Sequence, residues 1–284
     1  MFGVISDPYE ERMSKTSCVF LCGDRSPYGM AHLEPIAAHF DLKAIVIADN
    51  ARWQRFSEQL SGGEAPAIPK RSLLGMARGF ARIPLVFYRK NRHRRRLRST
   101  SAEVIEIDNA NTRDARRLIR SYSPDVLLSA AYPQILGKGM LKIAHLGSVN
   151  FHPSPLPRFR GAHPHYWCLA TGAQTGGVTA HFMTREIDLG DIISQRTFDL
   201  TELYYADLYG RIVEETSPVV KEVAAFFRDP DARSTPQDES LATLFKADRD
   251  IHHWLDFSTT SAGDLLNRIR AGRAYTHHRG ARIG

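Results

Sequence analysis

Asn150 and His152 stand two residues apart, and three prolines, Pro153, Pro155 and Pro157, follow within five positions. Proline fixes φ and lacks an N–H, so the chain beyond His152 can be neither helix interior nor central strand. Leu146 to Val149 reads as the approach of a strand, in which residues i and i+2 point the same way, so Asn150 and His152 share a face. An amide can donate to an oxygen that gains negative charge, and a neutral imidazole can accept a proton from an attacking amine. A second acidic stretch, Glu186-Ile187-Asp188-Leu189-Gly190-Asp191, lies downstream, with Asp188 thirty-six residues after His152. A carboxylate there can orient the imidazole, favour its protonated form or position a proton-shuttling water. The three residue types suit acyl transfer. No Gly-x-Ser-x-Gly elbow occurs, which favours direct transfer over a covalent acyl-enzyme.

No metal is implied. His163 and His165, in Ala-His-Pro-His-Tyr-Trp, lack a carboxylate or thiolate at matching spacing. The cysteines are sparse: Cys18 and Cys22 lie in an apolar run and, with Cys168, read as buried thiols.

The elements that must position this set read as alternating strands and helices. Ser17–Cys22 and Leu42–Ala48 are short apolar runs read as buried strands, with a helical pattern over Met30–Phe40 between them. That order implies a parallel pair joined by a right-handed crossover. The glycines after the first strand do not form a dinucleotide fingerprint. Glu103–Ile107 and Val126–Ala131 are further strands around a helix over Asn111–Tyr122, capped by Asn111 or Thr112 with Ala115, Leu118 and Ile119 inward. Residues 141–151 supply the strand that ends in the Asn/His pair. Val178–Met183 and Ile192–Phe198 alternate as strands, Tyr204–Phe227 as a long amphipathic helix, and Ser261–Ala271 as a last helix. The expected organisation is a disordered start over 1–16, a catalytic domain over 17–228, and a linker with a small C-terminal segment over 229–284, its polar first part (229–239) containing proline. Residues 51–100 read as a peripheral insertion or helix pair.

The chain has 284 residues, 43% hydrophobic and 24% charged, enough for a substantial core. No apolar run is long enough to span a bilayer, and residues 1–17 lack a signal peptide's basic start and apolar middle, so a cytoplasmic protein without membrane insertion is expected. The net charge of +7 is concentrated between Arg89 and Arg98, with seven Lys or Arg in ten positions. Such a run suits phosphates of a small ligand, nucleic acid, an acidic membrane surface, or only solvent.

The pattern Asn150-Phe-His-Pro-Ser-Pro-Leu-Pro-x-x-x-Gly161, followed by Thr179-Ala-His-Phe-Met-x-x-x-Ile-Asp188-x-Gly190, resembles the formyltransferases that use 10-formyltetrahydrofolate. The resemblance covers roughly residues 17–200. It implies an α/β fold of formyltransferase type: a Rossmann-like, mostly parallel sheet with helices on both faces, plus a small C-terminal appendage. By it, Asn150 and His152 flank the formyl carbon and Asp188 supports proton transfer. The folate pocket falls to Tyr132, Gln134 and Leu136 before the Asn/His strand and to Glu186 and Ile187 before Asp188, read largely by backbone groups. Arg160, Gly161, His163 and His165 fall to the acceptor. The sequence departs from the family's usual Ser-Leu-Leu-Pro in reading Ser154-Pro-Leu-Pro157, a stiffer loop.

The acceptor implied is the amine of a nucleotide-linked amino sugar. Methionyl-tRNA formyltransferases carry a C-terminal barrel after a segment similar to Lys246-Ala-Asp-Arg-Asp-Ile-His-His-Trp-Leu-Asp256, and here the sequence stops where that barrel would start. tRNA is the second-placed acceptor. The sequence also admits another small amine, such as a hydroxylated ornithine, or a non-catalytic nucleic-acid-binding relative. A homodimer is one expected assembly.

Overall fold

The structure, a computed structural model, describes residues 15–23, 26–48, 100–245, 260–272, 276–278 and 281–283. The basic run Arg89 to Arg98, the insertion expected over 51–100, most of the expected disordered start and the segment 246–257 lie outside the described residues. The chain divides into two compact units, Ser17–His145 and one containing Leu146–Gly284.

The first unit is a four-stranded parallel arrangement. In chain order it contains β1 (Ser17–Gly23), α1 (Pro27–Ala31), α2 (Leu33–His39), β2 (Asp41–Ala48), β3 (Glu103–Glu106), α3 (Arg113–Ser121), β4 (Val126–Ala130) and α4 (Lys138–Leu141). Parallel pairing of β1 with β2, β1 with β4 and β2 with β3 gives the order β3-β2-β1-β4. β1 and β4 are apolar almost throughout and buried, as strands covered on both faces must be. β3 at the margin is mostly exposed. Asp125 ties the start of β1, accepting from the Ser17 backbone N–H at 2.7 Å and its hydroxyl at 2.8 Å.

Two local expectations are corrected. The helix expected over Met30–Phe40 is two short helices meeting at His32. Pro35 explains the break: it has no N–H for the carbonyl of Ala31, but it is tolerated in the first turn of a helix that restarts at Leu33. In α3 the cap is Thr112, whose hydroxyl accepts the Ala115 N–H at 3.2 Å. Ala115 and Ile119 face inward as expected, but Leu118 is 40% exposed. The buried stripe is the narrow i, i+4 row, and Leu118 falls outside it.

The second unit contains β5 (Ser148–His152), β6 (Arg160–Gly161), α5 (Pro164–Ala170), β7 (Thr175–Phe182), β8 (Ile192–Asp199), α6 (Tyr205–Arg228), β9 (Leu244–Phe245), α7 (Ala262–Arg270) and a hairpin of β10 (Thr276–His278) with β11 (Ala281–Ile283). The expected strand over 141–151 is shorter, because α4 and a turn at Gly147 (φ +107°) precede Ser148. β5 and β8 both pair antiparallel with β7. α6 lays Leu208, Ile212, Val219, Val220 and Val223 inward, against β7 and β8. Three of these five strand pairings are parallel, which makes this the mostly parallel α/β fold expected from the sequence.

The stretch 229–245 is a strap rather than a free linker. Thr235 exchanges two backbone hydrogen bonds with Ile192, both 2.8 Å, and β9 pairs parallel with β6. Phe245 stacks on Phe159 and Trp167 with centroids 5.9 and 4.4 Å away. Polar composition gave the segment a linker's look, but Gln237, Glu239 and Thr243 bond back onto Arg160, the 188–190 turn and Phe159 of this unit. α7 is also held here, Arg270 donating to the carbonyls of Leu200 and Leu203. No helix among the described residues is long and apolar enough to cross a membrane.

Candidate active site

β5 alternates as its sequence requires. Val149 and Phe151 are buried in the core, while Asn150 and His152 share the other face. Pairing with β7 sets His181 directly opposite Asn150 and Thr179 opposite His152. Cross-strand partners lie about 5 Å apart, so four polar side chains gather on one surface.

The proline loop is held by polar contacts from β7 and β8. Thr179 donates to the Ser154 carbonyl at 2.7 Å, and Gln195 donates to the Leu156 carbonyl at 2.8 Å. The Leu156–Pro157 peptide is cis. Phe159 is left-handed (φ +62°), and its carbonyl accepts from His152 Nε2 at 2.9 Å. A carbonyl only accepts, so Nε2 carries the hydrogen and Nδ1 is the ring nitrogen left for chemistry. Nδ1 lies 3.5 Å from Asp188 Oδ2.

Asp188 itself is left-handed (φ +53°), an uncommon conformation for a residue with a side chain and one that clusters at functional sites. Its Oδ2 accepts the Gly161 N–H at 2.8 Å, and its Oδ1 lies 3.5 Å from His181 Nε2. His181 Nδ1 donates to the Phe182 carbonyl at 2.8 Å, and Nε2 also lies 3.4 Å from the Asn150 amide nitrogen. One carboxylate therefore bridges two imidazoles, and the second imidazole touches the amide. Gly161 (φ +92°) has to be glycine: a Cβ there would run into the Phe245 carbonyl oxygen, and the loop could not bring its N–H to Asp188.

Electrostatics assign the protonation states. Burial lowers the His152 imidazole below its ordinary value, opposed by the Asp188 charge and the Phe159 carbonyl. Burial alone would raise the Asp188 carboxyl, but His152, His181 and the Gly161 N–H outweigh it and hold it well below the usual carboxylate range. At neutral pH the pair is a neutral base beside an ionised carboxylate that can stabilise the base once it is protonated. Cys168 is a poor nucleophile, since burial pushes its thiol up to about 12, and burial likewise raises Cys18.

The remaining expected site residues fall as follows. In the first unit, Gln134 is buried, accepting the Ala110 N–H at 2.9 Å and donating to the Asp108 carbonyl at 2.7 Å. Leu136 is buried, and the Tyr132 hydroxyl is buried without a partner among the described residues. In the second unit, Glu186 and Ile187 are exposed, the Glu186 carbonyl accepting from Thr184 at 3.0 Å. Arg160 is buried, its guanidinium held by Gln237 and Glu239, and Gly161 contributes its N–H to Asp188. His163 is the left-handed N-cap of α5 (φ +54°), and His165 packs edge-on against Tyr205. His181 and Gln237 were missed. Thr179-Ala-His181 carried the signal for the first, since alternation puts both polar residues on one face; only the strand register shows that the face is this one.

Comparison with known proteins gives the family. A family model described as formyl transferase matches residues 81–222, half of the chain. The chain is similar to the methionyl-tRNA formyltransferase of Thermotoga sp. (strain RQ2), 35% identical over 179 residues that make up 63% of this chain and 56% of that protein. It thus spans about half the length of the curated relatives it matches. Among solved structures, a sugar N-formyltransferase from a Shewanella species aligns with TM-score 0.63 and 16% identity, covering 94% of this chain and 95% of that one. An N-formyltransferase from Helicobacter canadensis, solved with folinic acid and dTDP-3-aminofucose, aligns with TM-score 0.60 and 17% identity over 90% and 80% of the two chains. At these identities the structures establish the shared fold.

Proposed function

This chain belongs to the formyl transferase family, and on that premise we propose that it transfers a formyl group from 10-formyltetrahydrofolate to a primary amine, with the amine of a nucleotide-linked amino sugar as acceptor. The observation that carries the reading is the bridge His152–Asp188–His181 beside Asn150, a base and an oxyanion donor on one face with no nucleophile among them. Its donor set fits a formyl amide carbon placed against β5.

Each residue then has a task. The Asn150 amide donates to the formyl oxygen as negative charge develops there. His152 Nδ1 accepts the proton released when the acceptor amine forms its bond to the formyl carbon, and it returns a proton to the nitrogen that departs. Asp188 stabilises the imidazolium between those two events and, through Gly161, fixes the loop. His181 links Asp188 to Asn150 and keeps the amide turned. Within the second unit, folate contact is assigned to the backbone of 186–187. Arg160, Gly161, His163 and His165 are assigned to the acceptor side.

Two observations bear on the acceptor. The match over nearly the whole of both chains to a sugar N-formyltransferase supports an amino sugar, and the neighbour solved with dTDP-3-aminofucose suggests the nucleotide type. The 35% identity to a methionyl-tRNA formyltransferase supports tRNA as the second reading. Competing the two acceptors for limiting 10-formyltetrahydrofolate discriminates between them: formylated sugar supports the first, formylated methionyl-tRNA the second.

The pH profile follows from the His152 shift. The working base is the neutral form, so kcat/KM should be flat near neutrality and fall on the acid side as His152 takes up a proton. Because its pKa is lowered, the midpoint should lie below the ordinary 6.5. A midpoint above 6.5 in the kcat/KM profile would contradict the assignment of a buried neutral base.

A further inference from the structure

We propose that Gln237 is a positioning residue that holds Asp188 against His152 by gripping the backbone of the 188–190 turn; its consequence for turnover rests on the formyl-transfer reading above. Gln237 lies forty-nine residues beyond Asp188, on the strap between Thr235 and β9. Its Nε2 donates to the Asp188 carbonyl at 2.8 Å and to the Gly190 carbonyl at 2.7 Å, which uses both amide hydrogens. Its Oε1 accepts from Arg160 Nη2 at 2.7 Å and Nε at 3.1 Å. Arg160 is in turn held by Glu239, Nη2 to Oε1 at 2.6 Å and Nη1 to Oε2 at 3.0 Å. One side chain therefore joins the loop that supplies Gly161 to the turn that supplies Asp188.

The need for such a grip is visible in the turn. Asp188 is left-handed, a conformation that persists only where the surroundings over-determine it. Gly190 is pressed on the Phe182 carbonyl so closely that a Cβ would overlap it. The turn is fixed by the Gly161 N–H at its carboxylate and by Gln237 at two carbonyls. The strap cannot follow the turn if it shifts, because Thr235 is paired with Ile192 and Thr243 with Phe159, Arg160 and Pro157. Releasing the carbonyls lets the carboxylate leave a 3.5 Å contact that a small rotation would lose.

The test reads His152 directly, in the full chain, by NMR titration of the imidazoles, with His152 assigned from its absence in His152→Ala. The titratable groups facing His152 are Asp188 and, from β7, His181. In Gln237→Leu the His152 midpoint should move down, since the Asp188 charge that favours its protonated form has withdrawn. An unchanged midpoint in the folded variant overturns the proposal. Gln237→Glu keeps the acceptor for Arg160 but loses both donors, and it decides the matter if Gln237→Leu does not fold. For either variant kcat should fall about 10- to 100-fold, with KM for the folate within about twofold. Unchanged kcat, or a loss confined to KM, contradicts positioning. Absence of transfer by the wild-type chain would count against the formyl-transfer reading, and the titration would still judge Gln237.

Discussion

His152→Ala should lower turnover with 10-formyltetrahydrofolate by about 10²–10⁴-fold, the range that a positioned general base contributes. The loss should fall on kcat, with folate binding, followed by fluorescence titration, close to wild type. His152 is 5% exposed and contacts the Phe159 carbonyl through Nε2 at 2.9 Å, so truncation also leaves that carbonyl with only the longer contact from the Ser154 hydroxyl, 3.4 Å away. A thermal denaturation of the variant separates this structural cost from the chemical one. A folded variant with near-wild-type turnover would remove His152 from the reaction.

Asp188→Asn should lower turnover by a comparable factor for a different reason. The amide keeps an oxygen for the Gly161 N–H but lacks the charge that stabilises protonated His152. Neutralising the carboxylate beside a catalytic imidazole costs up to about 10⁴-fold in a serine-protease triad, where geometry survives and charge and tautomer do not. The sign of the pH effect is a second check. Asp188 raises the His152 pKa and burial lowers it, so removing the charge should move the acid limb of kcat/KM further down while the plateau drops. A limb that stays in place would mean that Asp188 does not act on His152.

Much of this was legible in the sequence because local rules are strong here. Apolar runs marked β1, β2 and β4, the pair Asn111-Thr112 marked the start of α3, and the period of two placed Asn150 with His152. Three prolines marked the loop beyond His152. Non-local relations were not legible. The break at His32 depends on where a helix restarts around Pro35. His181 joins the site through the antiparallel register of β5 with β7, which no local pattern specifies. Gln237 resembled one more polar residue of a proline-containing linker, yet its amide contacts return to Arg160, Asp188 and Gly190. The left-handed Asp188 likewise finds its partners, Gly161 and Gln237, far along the chain.

The most direct test of the account is a mass-spectrometric assay of the purified chain with 10-formyltetrahydrofolate and a panel of nucleotide-linked amino sugars, with methionyl-tRNA as comparator. One amino-sugar nucleotide should gain the mass of a single formyl group, and this gain should collapse in His152→Ala. No formylated product from any acceptor, or equal product from His152→Ala, would contradict it.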